Sequence, residues 1–545
     1  MTFAIQLDAS RRTAMCASGL WPDRLFTDSL DQAVREAPHA PAIVAVRAEG
    51  GTVRLSWREL ADAVQRIALG LAELGVQRGE VVSFQLPNWW QFVAVYLACV
   101  RIGAVANPLV PIFRHRELRF MLRFAQSRVV IAPTRFRGFD HGAMLRELRP
   151  ELPDLRRVLL VGGERDESFE RVLLGAASDA VRAEALFRAR RPGPDELTQL
   201  MYTSGTTGEP KGVMHTHNTL IGTALRFIDT IGLTQDDRVL MPSPLGHQSG
   251  FLYGMGVSLA LKTVLVLQDI WNPGDAAGLI EGEGASYTFA SSAFLADLVN
   301  HPEVDAHRLR NLRHFVCSGA PIPGALVERA TRQLNFRVFS GWGMTENGIV
   351  TVVRPDDPPE RSAQTDGRAI EGMEVRVVGP NRQPLLPGQV GDLQARGAGL
   401  FVGYLKRPEL SATDGEGWFD TGDLARLDER GYLRITGRSK DVIIRGGENI
   451  PVVEVEALLY RHPAILQAAI VAYPDERLGE RACAFVVPRP DASIDLPTLV
   501  EFLRTQQLAA QYMPERLEVR DALPCTPSGK IQKFRLREML KEAAA

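Results

Sequence analysis

The chain has 545 residues, with 63 Lys plus Arg against 65 Asp plus Glu, which gives a formal net charge of -2. Hydrophobic residues make up 45% and charged residues 23%, which is ordinary globular usage, so a largely disordered chain is excluded. Because the charges balance, there is no excess of positive charge to bind a nucleic-acid backbone, and nucleic acid is not expected as a partner. The length predicts roughly two to four domains.

The five cysteines are Cys16, Cys99, Cys317, Cys483 and Cys525. They are far apart and form no C-x-x-C pair, so they predict neither a disulfide framework nor a zinc site. The longest apolar runs, 92–100 and 251–261, are shorter than the ~20 residues that span a bilayer. The first 25 residues lack the apolar core of a secretory signal. We therefore expect a cytoplasmic protein with no integral membrane segment.

The first part of the chain alternates between helical and strand signals. Ser56 and Glu59 have the spacing of a capping box, and the following apolar residues keep helical spacing until Gly75. A short strand is predicted at 81–84 and a second helix at 89–100. Further strand signals are found at 157–161, 239–241, 263–267 and 314–317. Strands that alternate with helices predict largely parallel sheets and hence an α/β fold.

The later part of the chain has a different pattern. Between 375 and 435, short β-rich segments separated by Gly and Pro turns predict a smaller, more antiparallel subdomain. After GRSKD at 437–441 a compact α+β pattern begins. We place the domain boundary at Lys440, with a large domain at 1–440 and a small C-terminal domain at 441–545. The charged segment around Lys440 is compatible with a hinge and equally with a plain surface turn.

The most informative segment is YTSGTTGEPKG at 202–212. Its small hydroxyl residues and glycines expose backbone N–H groups, and Lys211 adds a positive charge, which together suit a polyphosphate. The spacing is not that of the G-x-x-x-x-G-K-[ST] P-loop, because Gly212 follows the lysine. On these residues alone an ordinary turn is the alternative.

This segment resembles the phosphate-binding signature of the adenylate-forming superfamily, which includes acyl-CoA synthetases, adenylation domains of nonribosomal peptide synthetases, and firefly-type luciferases. Five more of the family's motifs follow in the family's order: GWGMTE at 341–346, WFDTGD at 418–423, GRSKD at 437–441, GGENI at 446–450 and PSGK at 527–530. The resemblance runs from about Leu55 to the C-terminus. It implies a large N-terminal domain of mixed and parallel sheets flanked by helices, a β-rich subdomain, and a small mobile α+β C-terminal domain.

The resemblance also implies an ATP site. It assigns Glu346 to a Mg²⁺ ion, Thr345 to the α-phosphate, and Asp423 and Arg438 to the ribose. Trp342 stands where the family usually has Tyr, and its ring is expected against adenine. The residues implied for the nucleotide and CoA are Thr203, Ser204, Gly205, Thr206, Thr207, Gly208, Lys211, Gly319, Ala320, Pro321, Gly341, Trp342, Gly343, Met344, Thr345, Asp423, Ile435, Arg438, Gly446 and Gly447.

In the family a lysine near the C-terminus bridges the substrate carboxylate and the α-phosphate, and Lys530 matches it. The resemblance therefore implies Lys530, Thr345 and Glu346 as the catalytic residues. It also implies a hinge at Lys440, about which the C-terminal domain turns between the two half-reactions. That turn would withdraw Lys530 and bring Gly446 and Gly447 to the pantetheine channel.

The segment PLGHQSG at 244–250 resembles the family segment that gates the acyl pocket. Gly246 replaces the Phe that usually precedes the histidine, which removes bulk next to the gate. The residues implied for the acid pocket are His247, Phe251, Ser291 and Gly319. For His247, a purely structural histidine is the alternative.

The implied reaction joins a small-molecule carboxylic acid to coenzyme A, with ATP and Mg²⁺ as the other participants. Within the superfamily the motifs are most similar to short/medium-chain fatty acyl-CoA synthetases and cyclohexanecarboxylate-CoA ligases, so we expect a medium-chain aliphatic or alicyclic acid. The alternatives are an acyl-AMP ligase that loads a carrier-protein phosphopantetheine, an aromatic-acid CoA ligase, and a luciferase-like oxidative use of the adenylate. The sequence predicts no oligomeric state.

Overall fold

The structure is a computed structural model that describes residues 3–175, 180–203, 210–445, 448–526 and 529–542, with the backbone alone at 440, 448 and 449. Two large sheets dominate the first part of the chain. The nine-stranded sheet has the spatial order Arg368–Ala369, Gly348–Val352, Arg337–Met344, His314–Cys317, Tyr287–Ala290, Val239–Met241, Leu265–Gln268, Pro41–Val46 and Thr52–Ser56. The six-stranded sheet has the order Lys211–Thr216, Leu197–Thr203, Val105–Pro108, Val81–Phe84, Val129–Pro133 and Arg157–Val161.

Both large sheets are parallel at their centres and antiparallel at one or both edges. In the nine-stranded sheet the six central strands, from Arg337–Met344 to Pro41–Val46, run parallel. In the six-stranded sheet only Lys211–Thr216 runs antiparallel to its neighbour. The α/β fold expected from the alternating pattern is therefore confirmed. In parallel sheets ligands bind at the carboxyl ends of the strands, which is where the site described below lies.

The helix Trp90–Arg101 lies in the interior of the large domain. Ten consecutive residues, 91–100, are buried, so the apolar run in the sequence is a helix that is apolar on every side. It packs against strands of both large sheets, Pro41–Val46 and Val81–Phe84 among them. Across the described residues, no helix has both the length and the apolar character needed to span a membrane.

The described α-helices cover the faces of the sheets. They are Ala9–Ala17, Phe26–Glu36, Trp57–Glu73, Trp90–Arg101, His115–Phe124, His141–Leu148, Ala180–Arg190, His217–Ile231, Gln248–Gly250, Val257–Leu261, Pro273–Glu283, Ser292–Asn300, Gly324–Leu334, Arg361–Gln364, Val452–Leu459, Leu496–Thr505 and Lys533–Glu542. The predicted capping box is present at the start of Trp57–Glu73, where Ser56 and Glu59 exchange side-chain and backbone hydrogen bonds.

Two smaller sheets follow. Met373–Val378, Gly391–Gly397, Phe419–Leu427 and Leu433–Arg438 form an antiparallel four-stranded sheet, as the Gly- and Pro-punctuated pattern predicts. The last sheet has the order Glu448–Ile450, Ile443–Arg445, Gly479–Pro488 and Ile465–Asp475, and Arg516–Val519 pairs with Gly479–Pro488. Apolar clusters cover both faces of this last sheet, so residues beyond 441 have a core of their own.

The C-terminal part of the chain is seated on the helix Ser292–Asn300 of the large domain. A Cβ atom added to Gly529 would come within 2.6 Å of Ala293 Cβ and 2.8 Å of Ser291 Oγ. At the other end of the helix, Arg489 Nη1 donates to Asn300 Oδ1 at 3.3 Å. Because Gly529 has no side chain, the loop that carries Lys530 approaches the large domain closely.

Candidate active site

The predicted phosphate loop begins and ends on two paired antiparallel strands at the edge of the six-stranded sheet. Thr203 is the last residue of one strand, Lys211 is the first residue of the next, and the two face each other in the antiparallel register. Lys211 Nζ lies 4.7 Å from the centre of the Tyr404 ring. The paired strands therefore fix both ends of the loop. Ser204, Gly205, Thr206, Thr207 and Gly208 lie outside the described residues.

Glu346 is a buried carboxylate at the end of a strand hairpin. Its Oε1 accepts a hydrogen bond of 2.7 Å from the Tyr404 hydroxyl, and only 5% of the residue is exposed. Burial raises the pKa of the Glu346 carboxyl, while the hydrogen bond from Tyr404 and the charges of Lys211 and Arg438 oppose that rise. Because burial deprives the charged carboxylate of water, a cation beside it would be stabilising.

Thr345, next to Glu346, is held from the other side by His215. His215 Nε2 lies 2.7 Å from the Thr345 carbonyl oxygen, and His215 Nδ1 lies 3.0 Å from Thr219 Oγ1. Burial lowers the pKa of His215 to about 4, so the ring is neutral at pH 7 and donates one N–H. Sequence reasoning missed both Tyr404 and His215. The motif contains neither residue, and only their contacts in the fold connect them to it.

Asp423 is the centre of the group of residues predicted for the ribose. Its Oδ2 accepts the Trp342 indole N–H at 2.9 Å, and its Oδ1 lies 2.9 Å from Arg438 Nε. Asp423 is 4% exposed and Trp342 is 7% exposed. Each carboxylate oxygen can accept a second hydrogen bond, so Asp423 keeps the capacity to bind a diol. Trp342, which stands where the family usually has Tyr, therefore contributes an indole N–H donor as well as an aromatic ring.

The glycines of the adenine-side motif are required by close packing. A Cβ atom on Gly343 would lie 2.1 Å from the Gly348 carbonyl oxygen, and one on Gly341 would lie 2.8 Å from the Thr351 carbonyl oxygen. Met344 ends the same strand and is half-buried. Behind this strand, the Ile435 N–H donates to Asp366 Oδ2 at 2.9 Å.

Gly319 is placed differently, in an open turn after the strand His314–Cys317. Its φ of +84° is in the left-handed region that favours glycine, and a Cβ atom there would meet nothing within 4 Å. Ala320 is half-buried and Pro321 is exposed. The Pro321 carbonyl accepts a hydrogen bond of 2.9 Å from Ser292 Oγ, which ties this turn to the helix that supports the C-terminal loop.

Lys530 reaches the same site from the C-terminal part of the chain. Its loop is closed by hydrogen bonds between Thr526 and Lys530, with Thr526 N–H donating to the Lys530 carbonyl at 2.7 Å. Burial and, to a smaller extent, the charge of Arg438 lower the pKa of Lys530 from 10.5 to about 8, while Asp423 opposes the change. Lys530 of the last motif is thus close enough to interact with Asp423 and Arg438, which belong to two earlier motifs.

His247, which is predicted for the acid, lies close enough to Lys530 for the charge of the lysine to affect it. Burial and the charge of Lys530 lower the pKa of His247 to about 4, so the imidazole is neutral at pH 7. His247 Nδ1 and Ser291 Oγ are buried and have no hydrogen-bond partner among the residues that the structure describes. Gly529 packs against Ser291. The predicted residues His247, Ser291 and Lys530 therefore converge on one region.

Two features of the acid side differ from what the sequence suggests. A Cβ atom on Gly246 would come within 3.1 Å of Leu109 and Val110, so the space freed by the missing Phe is filled by protein. Phe251 is fully buried, with its ring 4.7 Å from the Tyr96 ring in the hydrophobic core. A role for Phe251 in binding the acid stays a prediction.

Some expected features fall outside this cluster. Gly446 and Gly447 and the side chain of Lys440 are not among the described residues. Within the described chain, no group of three or more His, Cys, Asp or Glu residues is placed to hold a metal ion. A cavity of about 300 Å³, lined by Trp89 and Phe136 among others, contains none of the predicted residues.

Two family models match the chain, AMP-binding enzyme over residues 30–405 and AMP-binding enzyme C-terminal domain over residues 454–530. The chain belongs to the AMP-binding enzyme family. A medium-chain fatty-acid–CoA ligase of Escherichia coli strain K12 is 38% identical over 541 residues, covering 99% of this chain and 94% of that protein.

Other members of the AMP-binding enzyme family agree with this assignment. A 3-[(3aS,4S,7aS)-7a-methyl-1,5-dioxo-octahydro-1H-inden-4-yl]propanoyl:CoA ligase of Rhodococcus jostii strain RHA1 is 33% identical, covering 94% of this chain and 98% of that protein. The crystal structure of ATP-bound MatB from Rhodopseudomonas palustris has a TM-score of 0.84 at 26% identity, covering 96% of this chain and all of that one. The protein is an ATP-dependent, AMP-forming acyl-CoA ligase of the adenylate-forming superfamily that uses ATP and coenzyme A.

Proposed function

We propose that this acyl-CoA ligase activates a medium-chain aliphatic or alicyclic carboxylic acid. The acid would first become an acyl-adenylate and would then be transferred to coenzyme A. The observation that carries the proposal is the convergence of Lys530 with Asp423, Arg438 and His247 on one site. The acid class is supported by the two relatives named above, one for a medium-chain fatty acid and one for a propanoate on a fused-ring skeleton.

In the first half-reaction a carboxylate oxygen attacks the α-phosphorus of ATP, and pyrophosphate leaves with the electron pair of the broken P–O bond. The carboxylate is already ionised at pH 7, so no general base is required. The obstacle is the approach of two anions, which cations near the reacting oxygens overcome. We assign Lys530 to the acid and the α-phosphate, and Lys211 to the outer phosphates.

The nucleotide would be positioned by groups that are already fixed in the fold. Asp423 would accept hydrogen bonds from the ribose hydroxyls, and Arg438 would hold Asp423 in place through their 2.9 Å contact. Trp342 would pack against adenine. Holding the reactants in one geometry contributes to the rate because the entropy of bringing them together is lost on binding rather than in the reaction.

We assign Glu346 as the protein ligand of the Mg²⁺ that accompanies ATP. Mg²⁺ keeps several waters and usually takes one or two carboxylates together with substrate phosphates, which fits a single buried carboxylate beside a phosphate loop. When bound, the ion would neutralise phosphate charge. Tyr404 would orient the Glu346 carboxylate through its 2.7 Å hydrogen bond.

For the second half-reaction we propose that residues 441–545 turn as a domain about Lys440. The turn would withdraw Lys530 and bring Gly446 and Gly447 to the path of the thiol. The thiolate of coenzyme A would then attack the adenylate carbonyl, and AMP would leave. The seating of Gly529 on Ser291 and Ala293 is the arrangement that adenylate formation requires, because it holds Lys530 in the site.

The test is an ATP–pyrophosphate exchange screen with C4 to C12 fatty acids, cyclohexanecarboxylic acid and aromatic acids, followed by addition of coenzyme A. We expect the highest kcat/KM with a medium-chain or alicyclic acid, and an acyl-CoA product once the thiol is present. The highest kcat/KM with an aromatic acid would overturn the acid class and favour an aromatic-acid ligase. A salicylyl-CoA synthase from Streptomyces, 34% identical, keeps that alternative relevant. Exchange without acyl-CoA would favour a carrier protein as acceptor.

A further inference from the structure

Asn88 is a buried asparagine whose side chain makes an unusual number of backbone contacts. Its Nδ2 lies 3.0–3.4 Å from the carbonyl oxygens of Met241, Pro242, Ser243 and Gln268. Its Oδ1 accepts the Leu245 N–H at 2.8 Å. An amide has two N–H donors and one carbonyl acceptor, so both ends of this side chain are in use. Only 4% of the residue is exposed.

These contacts join the two large sheets. Asn88 stands in the turn between the strand Val81–Phe84 of the six-stranded sheet and the helix Trp90–Arg101. Met241 and Gln268 end two neighbouring parallel strands of the nine-stranded sheet. One side chain therefore ties the start of an interior helix to the carboxyl ends of strands in the other sheet.

The same side chain holds the gate segment, which we define as residues 242–247. Leu245, two residues before His247, is 1% exposed, and its N–H is satisfied by Asn88. Two further hydrogen bonds shape the segment: Ser243 Oγ to the Phe289 carbonyl at 3.0 Å, and the His247 N–H to the Pro244 carbonyl at 3.0 Å. Without the Asn88 oxygen, a buried N–H would lose its partner at the centre of the gate segment, which is costly.

We propose that Asn88 is a positioning residue that fixes the gate segment so that His247 stands beside Lys530, and that it thereby helps to set which acids are accepted. This inference rests on the proposed role of His247 at the acid. Among the described residues, the Asn88 side chain forms its hydrogen bonds with backbone groups. Its effect passes through the backbone of 242–245, since Gly246 packs tightly on Leu109 and Val110 and leaves that segment little room to readjust.

The test is Asn88→Asp, measured by ATP–pyrophosphate exchange in the full-length enzyme. Aspartate keeps the size and the acceptor for the Leu245 N–H, but it loses both donors and directs an anion at four carbonyl oxygens. We expect kcat/KM for the preferred acid to fall roughly 10- to 100-fold, because a shift of about 1 Å in a positioning group costs that much. We expect KM for ATP to change less than about twofold. The ratio of kcat/KM for the preferred acid to kcat/KM for an acid two methylenes shorter should decrease.

Asn311→Asp is the matched control. Asn311 Nδ2 also donates to backbone carbonyls, those of Ile280 and Glu281 at 3.1 and 3.4 Å, but at the end of the helix Pro273–Glu283 rather than at the gate segment. Asn311→Asp should leave the ratio of kcat/KM values between acids unchanged. If Asn88→Asp fails to fold, Asn88→Ser, which places no anion beside the four carbonyl oxygens, should change the preference between acids in the same direction.

The inference is overturned if the Asn88 variants keep the wild-type ratio between acids, or if KM for ATP and KM for the acid rise together. A loss that Asn311→Asp reproduces would also overturn it, because it would mark a general effect on stability. These outcomes are separable from failure of the proposed function. That failure would show in the wild-type enzyme, as no exchange with medium-chain or alicyclic acids.

Discussion

Two sides of the proposed site, the nucleotide side and the acid side, differ in how completely their polar groups are paired. On the nucleotide side, both Asp423 oxygens and one Glu346 oxygen already have partners in the fold. On the acid side, His247 Nδ1 and Ser291 Oγ are buried without a hydrogen-bond partner among the described residues. The named carboxylates of the nucleotide side are held by the fold itself, whereas the named groups of the acid side have unused hydrogen-bonding capacity.

This difference fits the chemistry of the two substrates. ATP is the same molecule in every turnover, so fixed dipoles and charges aimed at it act without reorganisation during the reaction. The acid is what distinguishes one family member from another, and its binding is governed by the shape of an apolar site with a few polar groups. Variants on the nucleotide side should therefore lower kcat/KM by a similar factor for every acid. Variants at the gate segment should lower kcat/KM for some acids more than for others.

The largest expected effect is that of Lys530→Ala. Removing the cation that we assign to the acid and the α-phosphate should lower adenylate formation by about 1000-fold or more, whichever acid is used. Thioester formation from supplied acyl-adenylate should be largely unaffected, because Lys530 is withdrawn in the proposed second step. Pyrophosphate exchange and single-turnover thioester formation measure the two steps separately.

Lys541→Ala is the control for this variant, since Lys541 is an exposed lysine of the helix Lys533–Glu542. It should leave both steps unchanged. Equal losses in the two steps of Lys530→Ala would contradict the assignment of Lys530 and, with it, the proposed domain turn.

A smaller effect is expected for Asp423→Asn, which keeps the shape of the side chain but removes its charge. The substitution weakens the contact with Arg438 and leaves one fewer acceptor for the ribose. We expect kcat/KM for ATP to fall by roughly 100-fold, by a similar factor for all acids. The measurement is pyrophosphate exchange at varied ATP with two different acids.

The matched control is Asp428→Asn. Asp428 Oδ1 accepts backbone N–H groups of Arg430 and Tyr432 in the turn between the strands Phe419–Leu427 and Leu433–Arg438. It lies on the same hairpin as Asp423 but at its opposite end. If the loss of kcat/KM in Asp423→Asn depended strongly on the acid, it would contradict the proposal that the nucleotide side acts independently of the acid.

The sequence predicted the parts of this molecule that depend on local pattern. The capping box at Ser56, a helix at 89–100 and the antiparallel subdomain could be read from spacing and composition. The ATP-site residues could be named only through the ordered motifs. Tyr404, His215 and Asn88 could not be found in this way, because each contacts residues that are far away in sequence. Tyr404 and Glu346, for example, are 58 positions apart.

The nucleotide side could be predicted further than the acid side for a physical reason. A loop that binds phosphate needs small residues and a cation in one short segment, so its chemistry is visible locally. The acid side is assembled from the gate segment, the turn at Ser291 and the C-terminal loop, which meet only in the fold. Gly246 illustrates the limit, because the sequence suggested open space there and the structure fills it with Leu109 and Val110.

The smallest expected effect is a dependence on pH that arises from Lys530. Its pKa of about 8 in the folded protein means that the lysine loses its charge as the pH rises through 8. The rate of adenylate formation, measured as kcat/KM in pyrophosphate exchange, should therefore fall about tenfold per unit above pH 8. The thioester half-reaction, measured from supplied adenylate, should lack this decline.

Unfolding cannot produce that decline through Lys530, because the sign of the linkage is opposite. The unfolded chain, with a lysine pKa near 10.5, binds more protons than the folded chain between pH 8 and 10.5, so this group's contribution to the stability of the fold rises across that window. Lys530→Arg provides the discriminating variant, because arginine stays charged throughout. Its adenylation rate should be lower at pH 7 but level between pH 7 and 9. A decline in Lys530→Arg that matched the wild type would assign the titration to another group on the nucleotide side.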